Sequence, residues 1–142
     1  MITPNGPRFA HVGIAVSDLD AACELYQVLL AVPPVERETV ASQGVEVAHF
    51  INAESQIELL QPTRDDSPIA RFIAKRGEGI HHVAIWVHDL KEELARLAQC
   101  GVELIDKEPR VGAGGHLVAF VHPKGTRGVL VELTQRVGEE PR

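Results

Sequence analysis

Residues 11–19 read HVGIAVSDL and residues 82–90 read HVAIWVHDL. Six of the nine positions are identical, and the second copy is displaced by 71 residues. A helical pattern follows each copy. Ala22, Leu25, Tyr26, Leu29 and Leu30 keep helical spacing after the first, and Leu90, Leu94, Leu97 and Ala98 keep it after the second. Asp89 with Glu92 has capping-box spacing, and Gly101 suits the helix end. A second pair of segments matches in the same order: IELLQP at 57–62 and VELTQ at 131–135, whose Glu58 and Glu132 are 74 apart. Two matched pairs at nearly one offset indicate a duplicated unit. Each copy runs strand, helix, then further strands, so one α+β domain over residues 1–142 is expected, with a module at 9–62 and another at 80–136.

The remaining elements follow from local signals. Ser67-Pro68 reads as an N-cap and first helical residue, opening a crossover helix to about Arg76 that Gly77-Glu78-Gly79 ends. Further strands are expected at 117–121 and 129–134, separated by a turn at His122–Gly125. A glycine loop spans 112–115, and the tail from Val137 to Arg142 is expected to fray.

Strand alternation sorts the polar residues. In the first strand Val12, Ile14 and Val16 share the face that packs under the helix, and His11, Gly13 and Ala15 share the other. In the second copy Val83, Ile85 and Val87 take the packing face, and His82, Ala84 and Trp86 the opposite one. Glu58 and Glu132 each interrupt an apolar strand. A carboxylate there is costly unless it is paired, protonated or bound to a cation. Two such carboxylates, each matched to a histidine by the repeat, point to a divalent metal held by His11, Glu58, His82 and Glu132. Imidazole and carboxylate donors suit cobalt, manganese, nickel, zinc or iron(II) better than magnesium or calcium. Cys23 and Cys100 lie on the helical segments without zinc spacing and read as reduced thiols. His81, beside His82 but facing the other way, reads as structural or as a support behind the ligands.

Bulk composition limits the partners. Of 142 residues, 14 are basic and 20 acidic, a net charge of −6. Nucleic acid and anionic membrane are therefore not expected as partners. No apolar run is long enough to span a bilayer, and the N-terminus lacks a secretory pattern, so a cytoplasmic protein is expected.

With these residues in view, the chain resembles the vicinal oxygen chelate superfamily, and within it the methylmalonyl-CoA epimerase family. The resemblance is carried by HVGIAVSDL, QGVEVAHF, IELLQP, DSPIARFIAKRGEGIHHVAIWV, EPRVGAGG and FVHPKGTRGVLVELTQ, from Phe9 to Gln135. It implies two tandem βαβββ modules forming a cup-shaped, eight-stranded mixed sheet, a homodimer, and a divalent ion, cobalt first, in the cup. It implies interconversion of (R)- and (S)-methylmalonyl-CoA by proton transfer at C2 through a metal-stabilised enolate. Glu132 is then both ligand and catalytic acid/base, and Gln43 of the QGV segment a substrate-binding residue. One departure stands out: some members of the family carry a glutamate four residues after that glutamine, where this chain has Val47. Glu46 faces away, so His49, a water or a metal-bound carboxylate is left as second proton carrier. Arg71, Lys75, Arg76, Arg110, Lys124 and Arg127 are cations available to coenzyme A phosphates. The rival readings are a glyoxalase I-type lactoylglutathione lyase, an iron(II) ring-cleaving dioxygenase and a non-catalytic binding protein on the same fold.

Overall fold

A computed structural model describes residues 6–52 and 55–138. The chain divides into two compact units, His11–His81 and the described residues outside it, up to Ala10 and from His82 onward. Eight strands and three helices make up the two: β1 Arg8–Ala15, α1 Leu19–Leu30, β2 Arg37–Val40, β3 Val45–Asn52, β4 Ser55–Pro62, α2 Pro68–Arg76, β5 Gly79–Trp86, α3 Leu90–Gln99, β6 Arg110–Val111, β7 Leu117–Val121 and β8 Val131–Gln135.

In the unit His11–His81, β2 pairs antiparallel with β3, β3 antiparallel with β4, and β4 parallel with β1. In the other unit β6 pairs antiparallel with β7, β7 antiparallel with β8, and β8 parallel with β5. Each parallel pair needs a crossover, and the intervening helix supplies it. The α+β architecture of two βαβββ modules is therefore the one the repeat implied.

Each helix covers one face of its own strands. Leu19 and Cys23 of α1 pack with Val16, Ala48, Phe50 and Leu59. Leu90 and Leu94 of α3 pack with Val87, Ala119, Val121 and Leu133. The valines and isoleucines of the packing face join these clusters, Ile14 in the first and Ile85 in the second. A third cluster lies in the first of these units. There Ile69, Phe72 and Ile73 of α2 pack with Ala15, Val45, Val47 and Leu60. Burial holds the Cys23 thiol above its usual range, and both cysteines are free, as expected.

The duplication extends to the way each helix is started. Asp18 accepts from the Ala21 N–H and Asp89 from the Glu92 N–H, both at 3.1 Å. The Leu19 N–H donates to Gln61 Oε1 at 2.6 Å, and the Leu90 N–H donates to Gln135 Oε1 at 2.7 Å. The Val16 N–H reaches the Leu60 carbonyl and the Val87 N–H the Thr134 carbonyl, both at 2.9 Å. Each helix start is thus tied to the end of the strand parallel to β1 or β5, with the orphan amides of the first turn satisfied.

Several boundaries differ from the sequence expectation. The last strand begins at Val131 rather than 129, because Arg127 and Gly128 take positive φ (58° and 97°) and turn the chain first. The segment after α3 makes an isolated bridge, Leu104 to Val121, before the two-residue β6. Strand β2 had no clear signal in the sequence, being four residues long with polar Arg37, Glu38 and Thr39. The tail expected to fray lies, beyond Gly138, outside the described residues. No helix among the described residues is long and apolar enough to cross a membrane.

Replacing Gln135 with alanine leaves the buried end of α3 short of one acceptor. We expect a loss of about 1–2 kcal/mol, read as a drop of a few degrees in thermal midpoint, with the same loss for Gln61→Ala at the equivalent place.

Candidate functional site

Each unit carries one buried histidine–glutamate pair, built by the same register. Gly13 lies opposite Glu58 across β1 and β4, and Ala84 lies opposite Glu132 across β5 and β8. The residue beside each glutamate is small, so its carboxylate reaches the histidine two positions earlier on the neighbouring strand. His11 Nε2 is 3.2 Å from Glu58 Oε1, and His82 Nε2 is 3.9 Å from Glu132 Oε1. All four residues are buried, between 4% and 8% exposed. Burial lowers the His11 pKa against the raising effect of Glu58, and His49 adds to the lowering. A neutral imidazole is the form that ligates a cation. The four predicted ligands are therefore placed as two pairs, one in each unit.

The first pair has a shell of its own. The Gln56 side-chain amide donates to Glu58 Oε2 at 3.1 Å. His49 Nδ1 lies 3.4 Å from Glu58 Oε2, while its Nε2–H donates to Glu38 Oε1 at 2.8 Å. Burial works against the charged form of His49, but Glu58 and Glu38 outweigh it and raise its pKa. The β3–β4 register puts His49 opposite Glu58 and Val47 opposite Leu60, and β2 brings Glu38 opposite Val47. Val47 is 1% exposed within the apolar cluster under α2. The row that lacks a glutamate at 47 therefore has a carboxylate one strand away, hydrogen-bonded to His49. Sequence reading singled out His49 but not Glu38, because nothing in the sequence marked β2 as a strand.

Gln43 closes a short turn, Ala41–Gln43, and is half-buried. Gly44 after it has φ +64°, and a Cβ there would lie 2.8 Å from Ser67 Cβ; no other residue fits that turn. The second pair is flanked by aromatic rings. Phe120 lies opposite Glu132 in the β7–β8 register and meets the His82 ring edge-on, with centroids 5.9 Å apart. The six cations named as available to coenzyme A phosphates are exposed. Two of them stack on rings: Arg76 over Phe72 at 5.9 Å and Arg110 over Phe120 at 5.4 Å. Cys23 and Cys100 take no part in either pair.

With this geometry in place, comparison with known proteins gives the class. Residues 10–120 match the Glyoxalase/Bleomycin resistance protein/Dioxygenase superfamily. The chain belongs to this superfamily. Within it, the chain is 41% identical to the uncharacterized protein YqjC of Bacillus subtilis, over 94% of this chain and 95% of that one. It is 39% identical to the ethylmalonyl-CoA/methylmalonyl-CoA epimerase of Cereibacter sphaeroides, over 90% and 97%. A solved variant of Streptomyces coelicolor methylmalonyl-CoA epimerase in complex with 2-nitronate-propionyl-CoA is 38% identical and superposes with a TM-score of 0.88, covering 95% of this chain and 98% of that one.

His81, on the opposite strand face from His82, packs against α2. Its ring meets Phe72 of α2 edge-on at 5.0 Å. Burial depresses its pKa from 6.5 to about 4. The folded protein thus holds His81 neutral over a range in which the unfolded chain takes up a proton. Its contribution to stability is complete above pH 6.5 and is lost as pH falls toward 4, by up to about 3 kcal/mol. Urea unfolding at pH 7 and pH 4.5 should therefore show a larger loss in the parent than in His81→Leu; equal losses would refute the assignment.

Proposed function

We propose that the protein is a metal-dependent epimerase that interconverts (R)- and (S)-methylmalonyl-CoA by moving the proton on C2. The observation that carries this reading is the repetition of a buried histidine–glutamate pair in each unit, in a chain whose relatives include proteins named as epimerases of that substrate.

The donor set fits a divalent ion. Two imidazoles and two carboxylates, with no thiolate, match a catalytic cobalt, manganese, nickel, zinc or iron(II) site rather than a closed structural zinc. In our reading His11, Glu58, His82 and Glu132 together hold one such ion. That ion supplies positive charge against the enolate oxygen that develops when C2 loses its proton. The protein's own groups do the rest. Glu132 takes or returns the C2 proton on one side. On the other, Val47 offers no titratable group, and His49, anchored by Glu38, is the nearest replacement in the row. Gln43 orients the substrate. His11, buried and neutral, keeps a lone pair for ligation.

Exchange of the C2 proton of methylmalonyl-CoA with solvent deuterium tests the reading directly. We expect exchange that chelation abolishes and cobalt or manganese restores. Glu132→Gln should lower the rate by about 100-fold or more, with circular dichroism unchanged. His11→Ala should lower bound metal, measured by elemental analysis. Turnover of the hemithioacetal of glutathione and methylglyoxal, without exchange on methylmalonyl-CoA, would move the protein to the lyase class instead.

A further inference from the structure

The unit containing Glu132 holds a cation that the reading above does not use. Arg136 follows β8 directly. Alternation places Glu132, Thr134 and Arg136 on one face. The register Ala84 to Glu132 and Trp86 to Thr134 puts Ala84 and Trp86 on that face as well. The Arg136 guanidinium carbon lies 4.4 Å from the centroid of the Trp86 ring. His116 meets the same ring edge-on, at 5.4 Å and 86°. Thr134 is 3% exposed beneath them.

Arg136 Nε is buried and finds no hydrogen-bond partner among the described residues. Nor does any carboxylate among the described residues form an ion pair with this guanidinium. A buried donor without an acceptor, on a charged group, is destabilising, and an anion drawn against the guanidinium offsets that penalty. Cation–π attraction holds the guanidinium over the indole, and Arg136 as a whole is half-buried rather than enclosed.

The repeat provides an internal control. In the other unit the places of Trp86, Thr134 and Arg136 are taken by Ala15, Leu60 and Pro62. There Ala15 and Leu60 are sealed against Val47 and Ile69 in an apolar cluster. The same end of the same face is thus filled with hydrocarbon in one copy. In the other it carries a polar threonine, an indole and an arginine.

We propose that Arg136, held over the Trp86 ring, is an anion subsite for the acyl-CoA ligand, taking either the free carboxylate of a malonyl-type acyl group or a phosphate of coenzyme A. The proposal rests on the acyl-CoA reading above and names the group that one of its charges meets. Strand rise is about 3.3 Å per residue. The Trp86–Thr134 row therefore lies about 7 Å beyond Glu132, within reach of an extended ligand anchored at the histidine–glutamate pair.

Trp86 is the only tryptophan in the chain, so its emission reports on this subsite. Malonyl-CoA added to the metal-loaded full-length protein should change that emission saturably. Calorimetry should show affinity for malonyl-CoA about tenfold weaker in Arg136→Met. Malonyl-N-acetylcysteamine carries the carboxylate without phosphates, and free coenzyme A the phosphates without the carboxylate. Whichever of the two loses affinity in the variant identifies the anion. Arg136→Lys keeps the charge and should lose less, which guards against a methionine variant that fails to fold. Parental affinity of both variants for all three ligands overturns the subsite. Arg136-dependent binding without C2 exchange in the parent would instead sink the epimerase reading and leave the subsite standing.

Discussion

A carboxylate in the middle of a parallel strand pair is tolerated only if donors or positive charge meet it there. The rest of this molecule is arranged around that requirement, met twice. Parallel pairing of β1 with β4 and of β5 with β8 sets each glutamate beside a small residue, Gly13 or Ala84, and within reach of a histidine. Were Gly13 or Ala84 as large as valine, the carboxylate would have to leave the face. The crossover helix that makes the pairing parallel is itself pinned by a glutamine three residues past each glutamate, Gln61 or Gln135. Buried carboxylate, strand order and helix start are therefore one device, encoded in the short strings IELLQP and VELTQ.

That compactness explains what could be read from the sequence. Helices α1 and α3, the two buried histidine–glutamate pairs and the α+β class were legible because each signal occurs twice, and alternation on a strand fixes the face without any knowledge of tertiary contacts. The glutamines were visible in the repeated strings, but their role was not, since a side-chain cap arriving from 42 or 45 residues away has no local signature. Glu38 was illegible for a related reason. Strand β2 is short, polar and held by its pairing to β3 rather than by a hydrophobic pattern of its own. Arg136 was passed over because an arginine at the end of a chain reads as solvated surface; only its contact with Trp86 and its buried Nε mark it out.

The loss of a glutamate at position 47 takes on a different meaning in this setting. Val47 belongs to a sealed apolar cluster with Ile69 of α2, so a carboxylate there would face hydrocarbon. Negative charge in this neighbourhood is instead carried by Glu58 and Glu38, with His49 between them. The carboxylates of this neighbourhood thus stand at other positions, and the raised His49 pKa reflects the two that it joins.

Where the copies agree and where they diverge divides the chain by role. They agree in the histidine, the small residue, the glutamate, the glutamine and the aspartate cap, which together set one buried donor pair per unit. The divergence comes at the next row along the strands, where Ala15 and Leu60 in one copy correspond to Trp86 and Thr134 in the other. Two identical units would offer an asymmetric ligand no distinction between them. An epimerase must present similar proton-transfer chemistry to both faces of one carbon while holding the remainder of an asymmetric thioester in a single orientation. On the proposed reading, alike donor pairs serve the first demand, and a row that is aliphatic in one unit and cationic in the other serves the second.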